Sequence, residues 1–273
     1  MQPQFYKPHL SLTGIVSHIM IFEAQFSADK NLACPFPPTP QNSIHFYPGD
    51  VTWNQRKGNP AFATQPDSII VGPQVTRVNI KMGLHHIIVS VAFHPGGLYR
   101  LLKIPMCELF DESFDASLLL GSALKEVNER LREAKSHLEM KNIVEAFLLR
   151  KIVPSPLLPV EHAMKKLINS NGALSMEAAA SFSCFSLRQF ERKSKELLGY
   201  SPKFFSRLIR FSSAYRLKEN RQDLSWTSIA NASGYFDQMH MIKDFKEFTG
   251  TTPSFIAREI NNAPFRLQEK MLF

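Results

Sequence analysis

The sequence is poor in cysteine and has no long hydrophobic run. Its 273 residues include only three cysteines, Cys34, Cys107 and Cys184, which are widely separated and odd in number. They match neither a metal-ligand spacing nor a disulfide framework, so we expect ordinary reduced, buried thiols. No run of about 18 apolar residues is present, so no membrane helix and no membrane partner is expected. The N-terminus lacks the apolar core of a signal peptide, which predicts a cytoplasmic location.

Signatures of enzymes and metal sites are also scarce. The chain has no Gly-rich phosphate loop, no nucleophile elbow and no prominent carboxylate pair. Four histidines, His45, His85, His86 and His94, fall in the first half of the chain, without the close His-x-His pair of a metal-binding barrel. His85 and His86 are adjacent and would face opposite sides of a strand. We therefore expect no enzymatic activity, no catalytic or metal site, and no cofactor.

The positive charge of the chain is concentrated in its second half. The formal net charge is +8. Residues 160–273 contain 17 Lys and Arg against 11 Asp and Glu, whereas residues 1–159 contain 15 against 13. This excess suits contact with phosphates, although charge alone would equally suit DNA, RNA or an anionic membrane.

The stretch from Ser175 to Phe255 contains one pattern twice. The copies align at an offset of 50 residues, which becomes 51 after the turn. The matched pairs include Ala180 with Ala230, Ser183 with Ser233, Phe190 with Met241, Arg192 with Lys243, Gly199 with Gly250, and Pro202 with Pro253. Each copy predicts a short helix, a turn, a longer helix with a basic face, and a Gly-x-Ser/Thr-Pro stop. The repeat indicates two helix-turn-helix units.

The longer helix of each copy has an apolar stripe opposite a basic, amide-bearing face. The stripes are Leu187, Phe190, Ser194 and Leu197 in the first copy, and Met241, Phe245 and Phe248 in the second. Since Arg can contact guanine and Gln can contact adenine through two hydrogen bonds, the opposite faces are candidates for reading DNA. The candidate base-reading residues are Arg188, Gln189, Arg192, Gln238, Met239, His240 and Lys243. The candidate phosphate contacts are Lys193, Arg210 and Lys246.

The alternative is that these faces are simply solvated, as most charged helix faces are. Ser186 and Gln189 also form a capping-box pattern, which competes for the Gln189 side chain. Asp237 is the corresponding cap of the second copy. Between the copies, Lys203 to Glu219 predicts a helix of roughly 25 Å, which suits two recognition helices in adjacent major-groove segments about 34 Å apart.

These residues resemble the DNA-binding domain of the AraC/XylS transcription regulators, over roughly residues 159–260. The matching motifs are Ser186-x-Arg188-x-Phe190-x-Arg192, Gly199-x-Ser201-Pro202, Ile229-Ala230-x-x-Ser233-Gly234-Tyr235 and Phe245-Lys246-x-x-x-Gly250-x-x-Pro253. The resemblance implies a bacterial regulator that binds promoter DNA. It places Arg188 and Arg192 at base-contacting positions of the first unit, and Met239, His240 and Lys243 at those of the second. Ser194 departs from the family, which usually has Phe there.

The N-terminal part reads as β-rich. Its predicted strands are Ser43–Tyr47, Ser68–Val71, Val75–Ile80 and His86–Phe93, after a rigid loop at Pro35–Pro40. They predict a cupin-like antiparallel sandwich or barrel. A short helix at Leu98–Lys103 and two helices between Leu118 and Lys151, broken near Ser136, follow. The aromatic residues Trp53, Phe46, Phe62 and Phe93 favour a core individually, while a pocket built by several of them stays open.

The prolines of Val153–Pro159 mark the predicted domain boundary. We therefore expect an α+β protein: a β-rich regulatory domain at 1–153 with helices, an all-α domain at 157–260 with two helix-turn-helix units joined by a linker helix, and a tail at 261–273. An N-terminal domain often fused to such regulators resembles residues 91–109. The family implies that the N-terminal domain acts as a small-molecule sensor or pairs subunits. The candidate partners are double-stranded promoter DNA, an effector, a second copy and, for an activator, RNA polymerase. The alternative is a non-specific DNA binder whose N-terminal domain only oligomerises.

Overall fold

The first half of the chain forms two antiparallel sheets. The computed structural model describes residues 2–27, 32–153 and 156–262. The strands are β1 (Gln4–Tyr6), β2 (Val16–Gln25), β3 (Ala33–Phe36), β4 (Ser43–Phe46), β5 (Trp53–Arg56), β6 (Ala63–Thr64), β7 (Ser68–Val71), β8 (Val78–Lys81), β9 (His85–Phe93) and β10 (Ser113–Asp115). One sheet has the order β1-β2-β9-β4-β7-β10, and the other has the order β3-β8-β5-β6. The predicted β-rich, antiparallel character is confirmed.

Two strand predictions need correction. The proline-rich loop predicted from Pro35 begins inside β3, where Pro35 pairs with Asn79. Proline has no backbone N–H to donate and is therefore tolerated mainly in edge strands. The β3 strand is an edge strand of its sheet, so Pro35 can lie within it. The strand predicted from Val75 begins only at Val78. The long β2, which pairs with β9 from Val16 to Gln25, was not predicted.

Helices follow the sheets and cover one of them. They are α1 (Gly97–Leu102), α2 (Ala116–Leu120), α3 (Ala123–Glu133) and α4 (His137–Lys151), with a 3-10 turn at Met106–Leu109. The predicted break is confirmed, because the hydroxyl of Ser136 accepts the Glu139 N–H at 3.2 Å and caps α4. Buried residues of α3 and α4, such as Val127 and Phe147, share one hydrophobic cluster with the strand residues Val89 and Val91. These helices therefore cover the sheet.

The second half of the chain is all helical. The helices are α5 (Pro159–Asn169), α6 (Met176–Phe182), α7 (Leu187–Leu198), α8 (Pro202–Asn220), α9 (Trp226–Ala232), α10 (Gln238–Thr249) and α11 (Pro253–Asn262). The helices α6–α7 and α9–α10 form the two predicted helix-turn-helix units, and α8 is the predicted linker helix. Phe211 of α8 lies with its ring centroid 4.9 Å from those of Phe245 and Phe248. One hydrophobic cluster also contains Phe190 of α7, so the linker helix is part of the core that holds both units.

Of the two largest hydrophobic clusters, one is formed by residues that precede the proline-rich segment in the chain and the other by residues that follow it. One spans Leu12 to Ile152, and the other spans Val160 to Ile260. Residues 154–155 of the predicted boundary and 263–273 of the predicted tail lie outside the described residues, and α11 extends to Asn262. The boundaries 1–153 and 157–260 stay a proposal. None of the described helices has the length and apolar character needed to cross a membrane.

A buried ion pair connects the two halves. Arg100 of α1 donates from Nε to Glu161 Oε1 of α5 at 2.6 Å, and its Nη2 donates to Glu161 Oε2. The two side chains are 7% and 1% exposed. Gly96 packs so closely here that a Cβ would lie 2.6 Å from Glu161 Oε1. The start of the helical half is therefore fixed to the β-rich half.

The segment 73–77 makes a second connection. The Asp111 carboxylate accepts the N–H groups of Val75 and Thr76 at 2.8 and 3.0 Å. The Arg77 N–H donates to the Phe248 carbonyl at 3.1 Å. These partners remove Val75 to Arg77 from the sheet, which explains the late start of β8.

Candidate nucleic-acid interface

The longer helix of the first unit, α7, is the first candidate recognition helix and has the predicted start and stop. The Ser186 hydroxyl accepts the Gln189 N–H at 3.3 Å, and Gln189 Oε1 accepts the Ser186 N–H at 3.0 Å. This is a capping box, and the competition predicted for the Gln189 side chain is real in the free protein. Gly199, with φ of 80°, ends the helix in the left-handed conformation.

The predicted arginines of α7 face solvent. Arg188 and Arg192 are exposed, and neither makes a hydrogen bond or a salt bridge with any residue that the structure describes. On the opposite side, Phe190 is fully buried, whereas Leu187 is 46% exposed. The prediction of Leu187 as a stripe residue is therefore wrong, because the first residue of the helix projects beyond the core. The two guanidinium groups remain available to a ligand.

The first unit is packed closely around Ser194, and the Ser194 hydroxyl has a hydrogen-bond partner. It is fully buried and donates to the Tyr200 carbonyl at 2.7 Å. The Tyr200 ring stacks on Phe204 at a centroid distance of 5.4 Å, and its hydroxyl donates to the Gln74 carbonyl at 2.9 Å. The smaller side chain is thus compensated by an aromatic cluster and a contact from the β-rich half.

In the second candidate recognition helix, α10, some of the predicted base-reading side chains already have hydrogen-bond partners and others do not. The Asp237 carboxylate caps the helix by accepting the His240 N–H at 2.8 Å, and it also lies 2.9 Å from His240 Nδ1. These two hydrogen bonds, the backbone one first, lower the pKa of Asp237. Gln238 is half-buried and accepts from the Thr227 hydroxyl at 2.9 Å. Met239 is 70% exposed, and Lys243 is exposed.

The three candidate phosphate contacts are not equivalent. Lys193 is half-buried and donates to Glu196 at 2.8 Å. Arg210 donates to the Gly172 carbonyl at 3.0 Å and lies 5.7 Å from the Tyr235 ring centroid. Lys246 is exposed and, within the described ranges, has no hydrogen bond or salt bridge. Lys246 is therefore the freest of the three.

Sequence reasoning missed an aromatic side chain and a cleft beside α10. Phe236, between the turn and the helix cap, is 91% exposed. A cleft of about 620 Å³ lies next to it. Its lining includes Lys203, Arg207, Arg210, Phe236, His240 and Lys243. Phe236 is the additional residue that changes the repeat offset from 50 to 51, and this change was the available signal.

The turns of the two units require left-handed backbone at equivalent positions. Cys184 has φ of 54° and Gly234 has φ of 75°. Cys184 and Cys107 are exposed, so the expectation of three buried thiols is wrong for both. Only Cys34 among the three is buried, and burial raises the pKa of its thiol to about 12.

The histidines and aromatic residues of the β-rich half are mostly core residues. Burial lowers the pKa of His45 to about 4, and its Nε2 lies 2.8 Å from the Ser43 hydroxyl. In the ranges that the structure describes, no group of three His, Cys, Asp or Glu side chains is arranged to hold a metal. Phe46 and Phe93 belong to the core, and Phe62 is 36% exposed. Trp53 lines a cavity between the sheets of about 40 Å³, which is room for only a few waters.

The chain matches two family models. Residues 178–259, which include α7 and α10, match a helix-turn-helix domain, and residues 4–115 match a domain of unknown function (DUF6597). No curated protein matches the sequence.

Several solved structures are distantly similar. ToxT from Vibrio cholerae O395 is 14% identical, with 89% of this chain and 97% of that chain covered and a TM-score of 0.47. Unsaturated fatty acid-bound ToxT from Vibrio cholerae strain SCE256 is 13% identical, with 91% and 97% covered and a TM-score of 0.49. The AraC-like transcriptional activator CuxR is 13% identical, with 75% and 83% covered and a TM-score of 0.26.

The helix-turn-helix match, and not these distant likenesses, carries the assignment. It covers both units of the repeat and the linker helix between them. The chain is therefore a DNA-binding transcription regulator with an AraC-type helix-turn-helix domain at its C-terminus and a further domain before it.

Proposed function

We propose that the protein recognises one specific promoter sequence by placing α7 and α10 in two adjacent segments of the major groove. The supporting observation is that both helices leave long side chains unpaired on the face opposite the core. In α7 these are Arg188 and Arg192, and in α10 they are Met239 and Lys243. The linker helix α8 joins both units in one hydrophobic cluster, which fixes their relative position.

The individual roles follow from the freedom of each side chain. Arg188 and Arg192 are suited to guanine, whose two acceptors match the guanidinium fork. Gln189 would read adenine only after giving up its bond to the Ser186 N–H, and Gln238 only after leaving Thr227. Among the candidate phosphate contacts, Lys246 is ready to bind, whereas Lys193 would first leave Glu196.

Selection of binding sites from random duplex DNA tests this proposal directly. With the full-length chain at fixed salt, we expect two short blocks about one helical turn apart. The best site should bind about 10³-fold more tightly than a scrambled duplex. The absence of any motif, with a steep dependence on salt, would contradict the proposal. It would identify a non-specific DNA binder whose N-terminal domain acts in oligomerisation.

The role of Arg192 gives a sharper prediction. Replacing Arg192 by Ala should remove the preference at one base pair and weaken the selected site by about 1–3 kcal/mol. The matched control is Arg150→Ala, which removes the same charge from an exposed position of α4 and should leave binding unchanged. Affinities are measured on the selected site and on each single-base variant. An equal loss on every sequence would instead show that Arg192 contacts phosphate.

The N-terminal domain has, in this proposal, a regulatory role. Its segment 73–77 contacts both units: Tyr200, after α7, donates to the Gln74 carbonyl, and Arg77 donates to the Phe248 carbonyl of α10. Arg77 also donates twice to Glu259 of α11, each time at 2.6 Å. A conformational change in the β-rich half that moves the segment 73–77 would therefore displace residues next to both recognition helices.

An effector would act through these contacts. The cavity at Trp53 is too small for a metabolite, so an effector must either separate the sheets or bind elsewhere. We expect a true effector to alter the DNA footprint of the full-length protein. Footprints that are identical with every candidate effector would remove the sensor role. Pairing of two copies and contact with RNA polymerase are further parts of the proposal.

A further inference from the structure

Two large apolar side chains project from the start of the second recognition helix. Phe236 precedes the helix cap Asp237 and is 91% exposed, and Met239 is 70% exposed in the first turn of α10. The apolar residues that face the core from this helix, such as Met241 and Phe245, are fully buried. Phe236 and Met239 therefore do not belong to the core stripe.

The Phe236 ring has little support from the protein. Its described ring contact is with His240, edge to face at a centroid distance of 6.1 Å. A single exposed apolar side chain is ordinary, but here two large ones, Phe236 and Met239, lie together at the edge of a cleft, which is typical of a contact surface. Phe236 is the additional residue of the turn in the second copy. The helices on either side of it keep their alignment with the first copy, so this residue is not required for the packing that the two units share.

The surroundings of the pair indicate which partner it contacts. Lys203 and Lys243 are exposed in the adjoining cleft, and Arg210 also lines it. Arg207 is in the same cleft but is bound by Asp244 at 2.7 Å and by Glu247. An apolar tip bordered by cations is complementary to DNA, in which phosphates flank the base edges.

Within the major groove, the apolar group available to such side chains is the C5-methyl of thymine. The first residues of a recognition helix are those that reach the base edges. In α7 the position equivalent to Met239 is occupied by Arg188, which suits guanine, as does Arg192 one turn later, whereas Phe236 has no counterpart in the first unit. We propose that Phe236 and Met239 contact thymine methyl groups, so that the α10 half-site is defined by thymines and the α7 half-site by guanines. This inference rests on the proposed function, since it requires specific reading of DNA by both units.

The test removes the methyl group and nothing else. The variant Lys243→Ala first identifies the block of the best selected site that α10 reads, since its base preference should be relaxed there. Each thymine of that block is then replaced, one at a time, by deoxyuridine. Binding of the full-length protein should weaken about three- to tenfold at one or two of these positions, as expected for the loss of a buried methyl group. Deoxyuridine in the other block should have no effect.

The variants Phe236→Ala and Met239→Ala complete the test. Phe236→Ala should lose about as much affinity on thymine DNA as the wild type loses on deoxyuridine, and should no longer respond to deoxyuridine at its own position. Met239→Ala should behave likewise at a neighbouring position. The matched control Leu118→Ala removes an apolar side chain that is 78% exposed in the β-rich half, and should retain the full response. Thermal unfolding checks that each variant is folded.

The possible failures are distinguishable. If a two-block motif is selected but deoxyuridine has no effect in the α10 block, thymine reading is excluded and the proposed function stands. If Phe236→Ala weakens binding equally on thymine and deoxyuridine DNA, the ring contacts the backbone and the inference is again overturned. If no motif is selected, the proposed function fails, and this inference fails with it.

Discussion

Replacing Glu161 by Ala should destabilise the protein by about 3–5 kcal/mol, because it leaves the guanidinium of Arg100 buried without its carboxylate. Glu161 is 1% exposed and accepts two hydrogen bonds from Arg100, which is itself 7% exposed. Glu161 also accepts the Leu158 N–H at 2.5 Å and so caps α5. Denaturant unfolding of the full-length protein measures the loss.

Two variants separate the ion pair from a general effect of charge. Glu177→Ala removes an exposed carboxylate from the first turn of α6 and should change the free energy of unfolding by less than about 1 kcal/mol. The double replacement Arg100→Met with Glu161→Met should recover most of the loss, since well-packed apolar residues can substitute for a buried pair. A loss below about 1 kcal/mol for Glu161→Ala would mean that water reaches the pair.

Acidification from pH 7 to pH 4 should destabilise the β-rich half by several kcal/mol. Burial lowers the pKa of His18, His45 and His86 to about 4, whereas an unfolded histidine has a pKa of about 6.5. Between these values the unfolded chain binds more protons than the folded one. The stability from each histidine is therefore fully present above pH 6.5 and is lost as the pH falls towards 4. The expected loss is on the order of 3 kcal/mol for each group.

The chain offers a reporter for this prediction. Its two tryptophans lie in different halves, Trp53 in β5 and Trp226 in α9. In Trp226→Phe, the fluorescence of Trp53 follows urea unfolding of the β-rich half at pH 7.5, 6 and 5. His45→Gln should reduce the pH dependence of the unfolding free energy by the contribution of one buried histidine. His162→Gln, at an exposed position, should leave it unchanged. An unfolding free energy that is constant over this range would contradict the expected role of the buried histidines.

The sequence by itself determined the helical half in some detail. The cap at Ser186, the stop at Gly199 and the linker helix α8 depend on interactions between residues close in the chain, and each was predicted correctly. The repeat added a second, independent reading of the same signals at Asp237 and Gly250. Local hydrogen bonds and apolar periodicity therefore sufficed to define both units.

The sequence was less informative about the sheets. The β2 strand was missed and the start of β8 was placed too early at Val75, because pairing partners lie far away in the chain. The β2 strand pairs with β9, whose paired residues lie 60 to 77 positions later in the chain, and Asp111 holds residues 75 and 76 out of the sheet. Strand boundaries depend on such distant partners, and no local pattern reveals them.

Only the tertiary structure decided which candidate side chains are free. From the sequence, Lys193, Arg210 and Lys246 are equivalent cations, but the first binds Glu196 and the second binds the Gly172 carbonyl. The exposure of Phe236 and the compensation of Ser194 by Tyr200 also emerged only from the packing. The sequence determined that two helix-turn-helix units form, since helix formation and capping are local. The fold decided which of their candidate side chains are free to bind a ligand, because the freedom of a side chain depends on neighbours that are distant in the chain.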